Sequence, residues 1–134
     1  MIGVLVIAHA DLAESFERAA KMIFGEEPKG WLNLSIHIDD TPEQIKEKVQ
    51  RSVNRMRSMS DGLIIFTDVF GGTPSNVTIP FVEEGKVELI SGVNLPMLIK
   101  VLQERERYSL DELAEKVKQW GKESIHRASE YLKT

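Results

Sequence analysis

Ile2-Gly3-Val4-Leu5-Val6-Ile7-Ala8 is an unbroken apolar run that leads directly into His9. Continuous apolar character without polar alternation marks a strand covered on both faces, as in parallel sheets. The run is far too short to cross a bilayer, which takes about 20 residues. Only Met1 precedes it, so the basic segment of a secretory signal is absent. The expectation is a soluble cytoplasmic protein with no membrane insertion.

Leu63-Ile64-Ile65-Phe66 reads in the same way, and Val87-Glu88-Leu89-Ile90 is a shorter relative. Leu32 to Ile38 instead alternates apolar and polar residues, which predicts an edge strand with one wet face. Between these runs lie helical spacings: Leu12, Phe16, Ala19 and Ile23, then Ile45, Val49, Val53 and Met56. Thr41-Pro42-Glu43-Gln44 and Ser109-Leu110-Asp111-Glu112 are capping boxes. Asn94-Leu95-Pro96 opens a helix carrying Leu95, Leu98, Ile99 and Leu102. Leu110, Leu113, Val117, Trp120 and Ile125 form the stripe of a last helix expected to run through Leu132. The order β-α-β-α-β-α-β-α-α predicts a doubly wound α/β fold with a parallel sheet, flavodoxin-like order 2-1-3-4, and helices on both faces.

The 134 residues are 42% hydrophobic and 28% charged, enough for one domain spanning 1–134 with a substantial core. No linker-like or repetitive segment divides the chain. Cysteine is absent, which excludes disulfides, thiolate metal sites and cysteine nucleophiles. Seventeen basic residues against 21 acidic ones, with no basic block, argue against nucleic-acid binding.

In a doubly wound sheet, ligands bind outside the carboxyl ends of the strands where strand order reverses. For order 2-1-3-4 that place lies between the first and third strands. His9 follows the first, and Thr67-Asp68 ends the third. A carboxylate that accepts a hydrogen bond from one imidazole nitrogen fixes the tautomer and leaves the other free as base, ligand or nucleophile. Gly71-Gly72 then permits a tight turn, Thr73 is the expected N-cap, and Pro74 sits at the first helical position. Such a turn offers backbone N–H groups to a phosphate. Imidazole, orienting carboxylate and phosphate loop together point to phosphoryl transfer through His9. Taken one at a time, the three features have plainer readings: a polar residue after a strand, a loop cap, and a turn before a helix.

His37 and His126 read as solvated, and a metal site built from the three histidines has no close-spaced ligand pair. A receiver domain, with Asp68 as phosphoacceptor, would need an acidic pair after the first strand, where this chain has His9-Ala10-Asp11. Phosphate-binding motifs of nucleotide enzymes and the nucleophile elbow of serine hydrolases are both missing.

Three stretches carry a family resemblance: the apolar strand ending in His9, Asp68-Val69-Phe70-Gly71-Gly72-Thr73-Pro74-Ser75-Asn76, and Ser91-Gly92-Val93-Asn94-Leu95-Pro96-Met97. In these the chain resembles the IIA domain of the mannose-type sugar phosphotransferase system over nearly its whole length. The resemblance implies that His9 accepts phosphate from the phosphocarrier HPr and passes it to a IIB partner, with no cofactor, metal or nucleotide. It implies that Asp68 orients His9 and that Gly71, Gly72 and Thr73 hold the phosphate. Both partners must reach His9, so an apolar rim is expected; Phe70, Pro74 and Met97 are candidates for it, and equally for the core. A homodimer is implied by the family alone.

Related phosphotransfer subunits of dihydroxyacetone kinases share the fold but usually read Asp-Leu-Gly-Ser after the third strand. A regulator read out by His9 phosphorylation is a further alternative. Pro80, six residues after Pro74, predicts a kinked or short helix there. Some members exchange a C-terminal strand between subunits, followed by a linker to IIB. A chain ending in a helix implies a free-standing IIA. The sugar stays unspecified, because in this family the membrane subunits select it.

Overall fold

The computed structural model describes residues 1–69 and 71–133. Four strands, β1 (Ile2–His9), β2 (Trp31–Ile36), β3 (Gly62–Thr67) and β4 (Val87–Ser91), form one parallel sheet in the order β2-β1-β3-β4. Among the described residues, helices α1 (Leu12–Phe24), α2 (Pro42–Met59) and α3 (Thr73–Thr78) alternate with the strands, and α4 (Leu95–Glu104) and α5 (Leu110–Glu123) follow β4. This is the doubly wound, flavodoxin-like arrangement that the strand and helix order predicts.

The central strands separate two cores. Val4, Val6, Ala8, Ile64 and Phe66 point to the face covered by α1, α4 and α5. Leu5, Ile7, Leu63 and Ile65 point to the other face, against Ile45, Val49, Val53 and Met56 of α2. Alternate side chains of one strand thus meet opposite layers, which is why β1 must be apolar at every position. Among the described residues no helix is long and apolar enough to cross a membrane.

Several elements depart from the sequence pattern. β2 has no wet face: Trp31 to Ser35 are all partly buried, and the strand stops at Ile36. Asn33 occupies a polar position of the alternation, yet its amide donates to Glu17 Oε1 on α1 at 2.9 Å and accepts from Trp31 Nε1 at 2.7 Å. A hydrogen-bonded polar pair between layers reads in sequence just like a solvated face. On α1 the buried positions are Ala13 and Ala20, with Phe16 packed beside them, while Leu12 and Ile23 are exposed.

α5 ends at Glu123, well short of Leu132, and Ile125 is exposed. The Gly121 carbonyl accepts from Ser124 Oγ (2.7 Å) and Asn94 Nδ2 (3.1 Å), so side chains satisfy the last turn and the helix stops. A 3-10 segment, Ala128–Lys133, follows. Pro80 has the expected effect. α3 is six residues long and gives way to a 3-10 turn, Ile79–Phe81. Proline cannot supply the N–H for the next helical bond, to the Asn76 carbonyl; within α3, Thr78 Oγ1 donates to the Pro74 carbonyl at 2.5 Å.

Candidate functional site

β1 and β3 are neighbours, with Ile7 opposite Thr67, so His9 and Asp68 emerge side by side at the carboxyl edge of the sheet. Asp68 Oδ2 accepts from the His9 backbone N–H at 3.0 Å and lies 2.9 Å from His9 Nδ1. The two side chains differ sharply in exposure, 54% for His9 and 10% for Asp68. Burial pushes the Asp68 carboxyl up, but the hydrogen bonds from the His9 backbone and ring outweigh it and hold the group below its ordinary value. An ionised carboxylate only accepts, so the ring proton sits on Nδ1 and Nε2 is the nitrogen left for chemistry.

The turn after His9 is strained in a specific way. Ala10 adopts a left-handed conformation (φ 53°), while its N–H donates to the Ile36 carbonyl at 2.8 Å. A non-glycine residue there costs about 1–2 kcal/mol. Nothing in the sequence signals it, because alanine is not a turn residue.

Asp68 leads into the glycine loop. Gly71 has φ 82°, a conformation glycine adopts freely, and its carbonyl accepts from Asn76 Nδ2 at 3.2 Å. Gly72, rather than Thr73, is the N-cap of α3, and no side chain caps it. Thr73 is therefore the first helical residue; it is exposed, and its hydroxyl is not engaged as a cap.

The rim expected from sequence is not formed by Pro74 and Met97, which are both buried. Pro74 is turned inward in the first turn of α3, and Met97 packs in the core of the α4–α5 face with its methyl at the surface of Gly121. Phe70 lies outside the described residues. Beside the site in the chain, the exposed apolar side chains among the described residues are Leu12 (38%) and Val69 (52%). His37 lies beyond β2, where its N–H donates to Asp40 Oδ2 at 2.7 Å. His126 follows α5 and contacts the Tyr131 hydroxyl. Ile36, which precedes His37, is the register partner of His9, but the hydrogen bonds described for His37 and His126 go to Asp40 and Tyr131. An apolar groove of about 650 Å³ runs between Ile23, Leu95, Ile99 and Trp120, and its lining includes neither His9 nor Asp68.

Sequence reading missed a group of hydroxyls beside the site, with Thr67 and Ser75 fully buried and Ser91 partly buried. Thr67 Oγ1 donates to Ser91 Oγ at 2.7 Å, and Ser91 Oγ lies 3.0 Å from Ser75 Oγ. The Thr67 carbonyl also accepts from Gly92 N (3.0 Å) and Val93 N (3.1 Å). Four residues of the run Ser91 to Met97 thereby have a structural role. Ser91 joins the hydroxyls, Gly92 turns at φ 81°, Asn94 caps α4 by accepting from Met97 N, and Met97 fills the core.

Comparison with known proteins places these features in context. The family model described as "PTS system fructose IIA component" matches residues 3–118. The fructose-specific EIIA component of Bacillus subtilis is 30% identical over 98% of this chain and 90% of its own length. The sorbose-specific EIIA component of Lacticaseibacillus casei is 30% identical over 82% of this chain and 78% of its own. The crystal structure of an EIIA component from Streptococcus agalactiae superposes with a TM-score of 0.84 at 22% identity, covering 96% of this chain and 98% of that one, which speaks to the fold.

Proposed function

Since the chain belongs to the EIIA family of the mannose-type phosphotransferase system, and is thus a phosphotransfer component of sugar transport, we propose that His9 carries the phosphoryl group. HPr donates it and a IIB component receives it. The observation that carries this reading is the His9–Asp68 pair: Nδ1 faces a buried carboxylate at 2.9 Å while the ring is half exposed.

Transfer then proceeds in line. The Nε2 lone pair of His9 attacks the phosphorus of the incoming phosphohistidine, and the bond from phosphorus to the donor nitrogen breaks. His9 keeps its own proton on Nδ1 throughout, so no separate base is required at the acceptor. The protein's contribution is positioning and charge stabilisation. Gly71, Gly72 and Thr73 are the groups proposed to meet the phosphate oxygens, through backbone N–H donors and the exposed Thr73 hydroxyl. Leu12 and Val69 take the place of Pro74 and Met97 as the apolar rim on which protein partners dock. The open setting of His9 suits delivery by another protein's side chain better than capture of a free metabolite. A homodimeric state is part of the proposal on family grounds alone.

Incubation with phosphoenolpyruvate, enzyme I and HPr is expected to add one acid-labile, base-stable phosphate. His9→Gln abolishes it, whereas His37→Gln and His126→Gln retain it. Addition of a IIB component should discharge the label. Labelling of the His9 variant would overturn the assignment, and a phosphoprotein that no IIB component discharges would favour a regulatory role.

A further inference from the structure

We infer that Ser91 is a positioning residue for phosphotransfer: its hydroxyl is the clasp that closes the loop carrying Asp68. This rests on the assignment of His9 and Asp68 above and adds a residue to it. The loop starts at Asp68 and ends in the first turn of α3. Thr67 immediately precedes it and Ser75 ends it, and both are fully buried. Ser91, the last residue of β4, reaches both, at 2.7 and 3.0 Å. Both stems of the loop are thus fastened to one oxygen.

Among the described residues, backbone bonds from β4 and its turn reinforce the Thr67 stem. The Thr67 carbonyl is held by Gly92 and Val93, as β3 pairs with β4 to its end. Ser75 belongs to a helix of six residues followed at once by a 3-10 turn. So short a helix has little cooperative stability of its own. Its hold on the strand ends therefore depends on side chains, and the Ser75–Ser91 bond is the polar link between α3 and β4. Ser75 is fully buried while Ser91 is partly buried, so it is the Ser75 hydroxyl that is costly to leave unmatched.

The consequence reaches His9 through Asp68. Oδ2 must serve the His9 backbone N–H and Nδ1 together, at 3.0 and 2.9 Å, which leaves little tolerance for movement of the loop. Displacement of reacting groups by about 1 Å can cost on the order of 100-fold in rate. Loss of the clasp loosens the loop without removing any group that touches phosphate, so a smaller effect is expected, on the order of 10-fold.

The test compares Ser91→Ala, Ser91→Thr and Ser75→Ala in the full chain. Three quantities are read: the initial rate of His9 phosphorylation by phospho-HPr, the melting temperature, and the His9 ring tautomer by ¹⁵N NMR without phosphate. Ser91→Ala and Ser75→Ala should each slow labelling about 10-fold and raise the minor tautomer, with Ser91→Thr recovering most of both losses. The double alanine variant should be no slower than the worse single one, because one clasp is broken either way. Folded alanine variants with wild-type tautomer and rate would overturn the inference, as would equal slowing in Ser91→Thr. The tautomer measurement needs no phosphate, so it still judges the clasp if His9 proves not to be the acceptor.

Discussion

Asp68 meets His9 twice with a single oxygen, once at the backbone N–H and once at Nδ1. The arrangement fixes the ring relative to its own main chain, so orientation and proton placement are set together. Asp68→Asn tests this. An asparagine can turn its NH₂ toward Nδ1, which then accepts, and the proton moves to Nε2 where the phosphoryl group must bond. Phosphorylation of His9 is expected to slow by about 10²–10⁴, by analogy with carboxylates that orient catalytic histidines. The variant should still fold and retain slow labelling. The outcome that sinks the role is complete loss of label with a base-labile bond in the wild type, which would mark Asp68 itself as the acceptor. In sequence, His9 and Asp68 were legible because they sit one and two residues beyond apolar runs. Ser75, Ser91 and Ala10 were not, since serine and alanine carry no signal until their neighbours are known.

At the scale of elements, β1 is packed so closely that one position tolerates no side chain. A Cβ on Gly3 would lie 2.4 Å from Ser60 Oγ and 3.2 Å from Ser60 Cβ, with the Met56 methyl at 3.0 Å. The hydroxyl can rotate and the methionine can bend, but the Ser60 Cβ is fixed to the end of α2. Gly3→Ala should therefore destabilise the protein by about 1–3 kcal/mol, the usual cost of overpacking. Ser60→Gly in the same chain should return part of that loss. Denaturant melts of the two variants decide the matter; a neutral Gly3→Ala would show that β1 and α2 can separate at little cost. Legibility varied from element to element for a physical reason. The α2 stripe of Ile45, Val49, Val53 and Met56 is buried as its spacing predicts, because α2 lays it against Leu5, Ile7, Leu63 and Ile65 of the central strands. On α1, small alanines take the buried positions and larger apolar residues face outward, so hydrophobicity and burial part company.

For the molecule as a whole, five carboxylates are displaced in one direction. Asp40 is lowered by the His37 N–H and Lys48, Asp61 by the N-terminal ammonium, Glu83 by Arg57, and Glu112 by the Ser109 hydroxyl and N–H. Asp68 is lowered despite its burial. A carboxylate whose folded value lies below its unfolded one stabilises the fold at pH above the unfolded value, and loses that contribution as pH falls through the folded one. Stability should thus be flat through neutrality and drop below about pH 4, where unfolded carboxylates begin to protonate. Most of these groups are exposed, so the drop should be gradual and weakened by salt. Thermal melts from pH 3 to 7 check the sign: a protein that gains stability on acidification to pH 3 would contradict it.

The sequence alone determined the class of fold, the order of its elements and the pair of residues at the crevice. Apolar runs, helical spacing and capping boxes are local signals, and the rule for parallel sheets converts their order into a place. It did not determine what lies on which side of that place. Pro74 and Met97 are apolar residues next to specific motifs, and only the packing of α3 and of α4 on α5 turned them inward. Asn33 looked solvated until Glu17 stood opposite it. Ser91 is 16 residues from Ser75 and 24 from Thr67, and the three hydroxyls converge because β4 lies beside β3 with α3 across its end. Burial and hydrogen-bond partnership are properties of surfaces that meet, and surfaces from distant parts of the chain meet only in the tertiary structure.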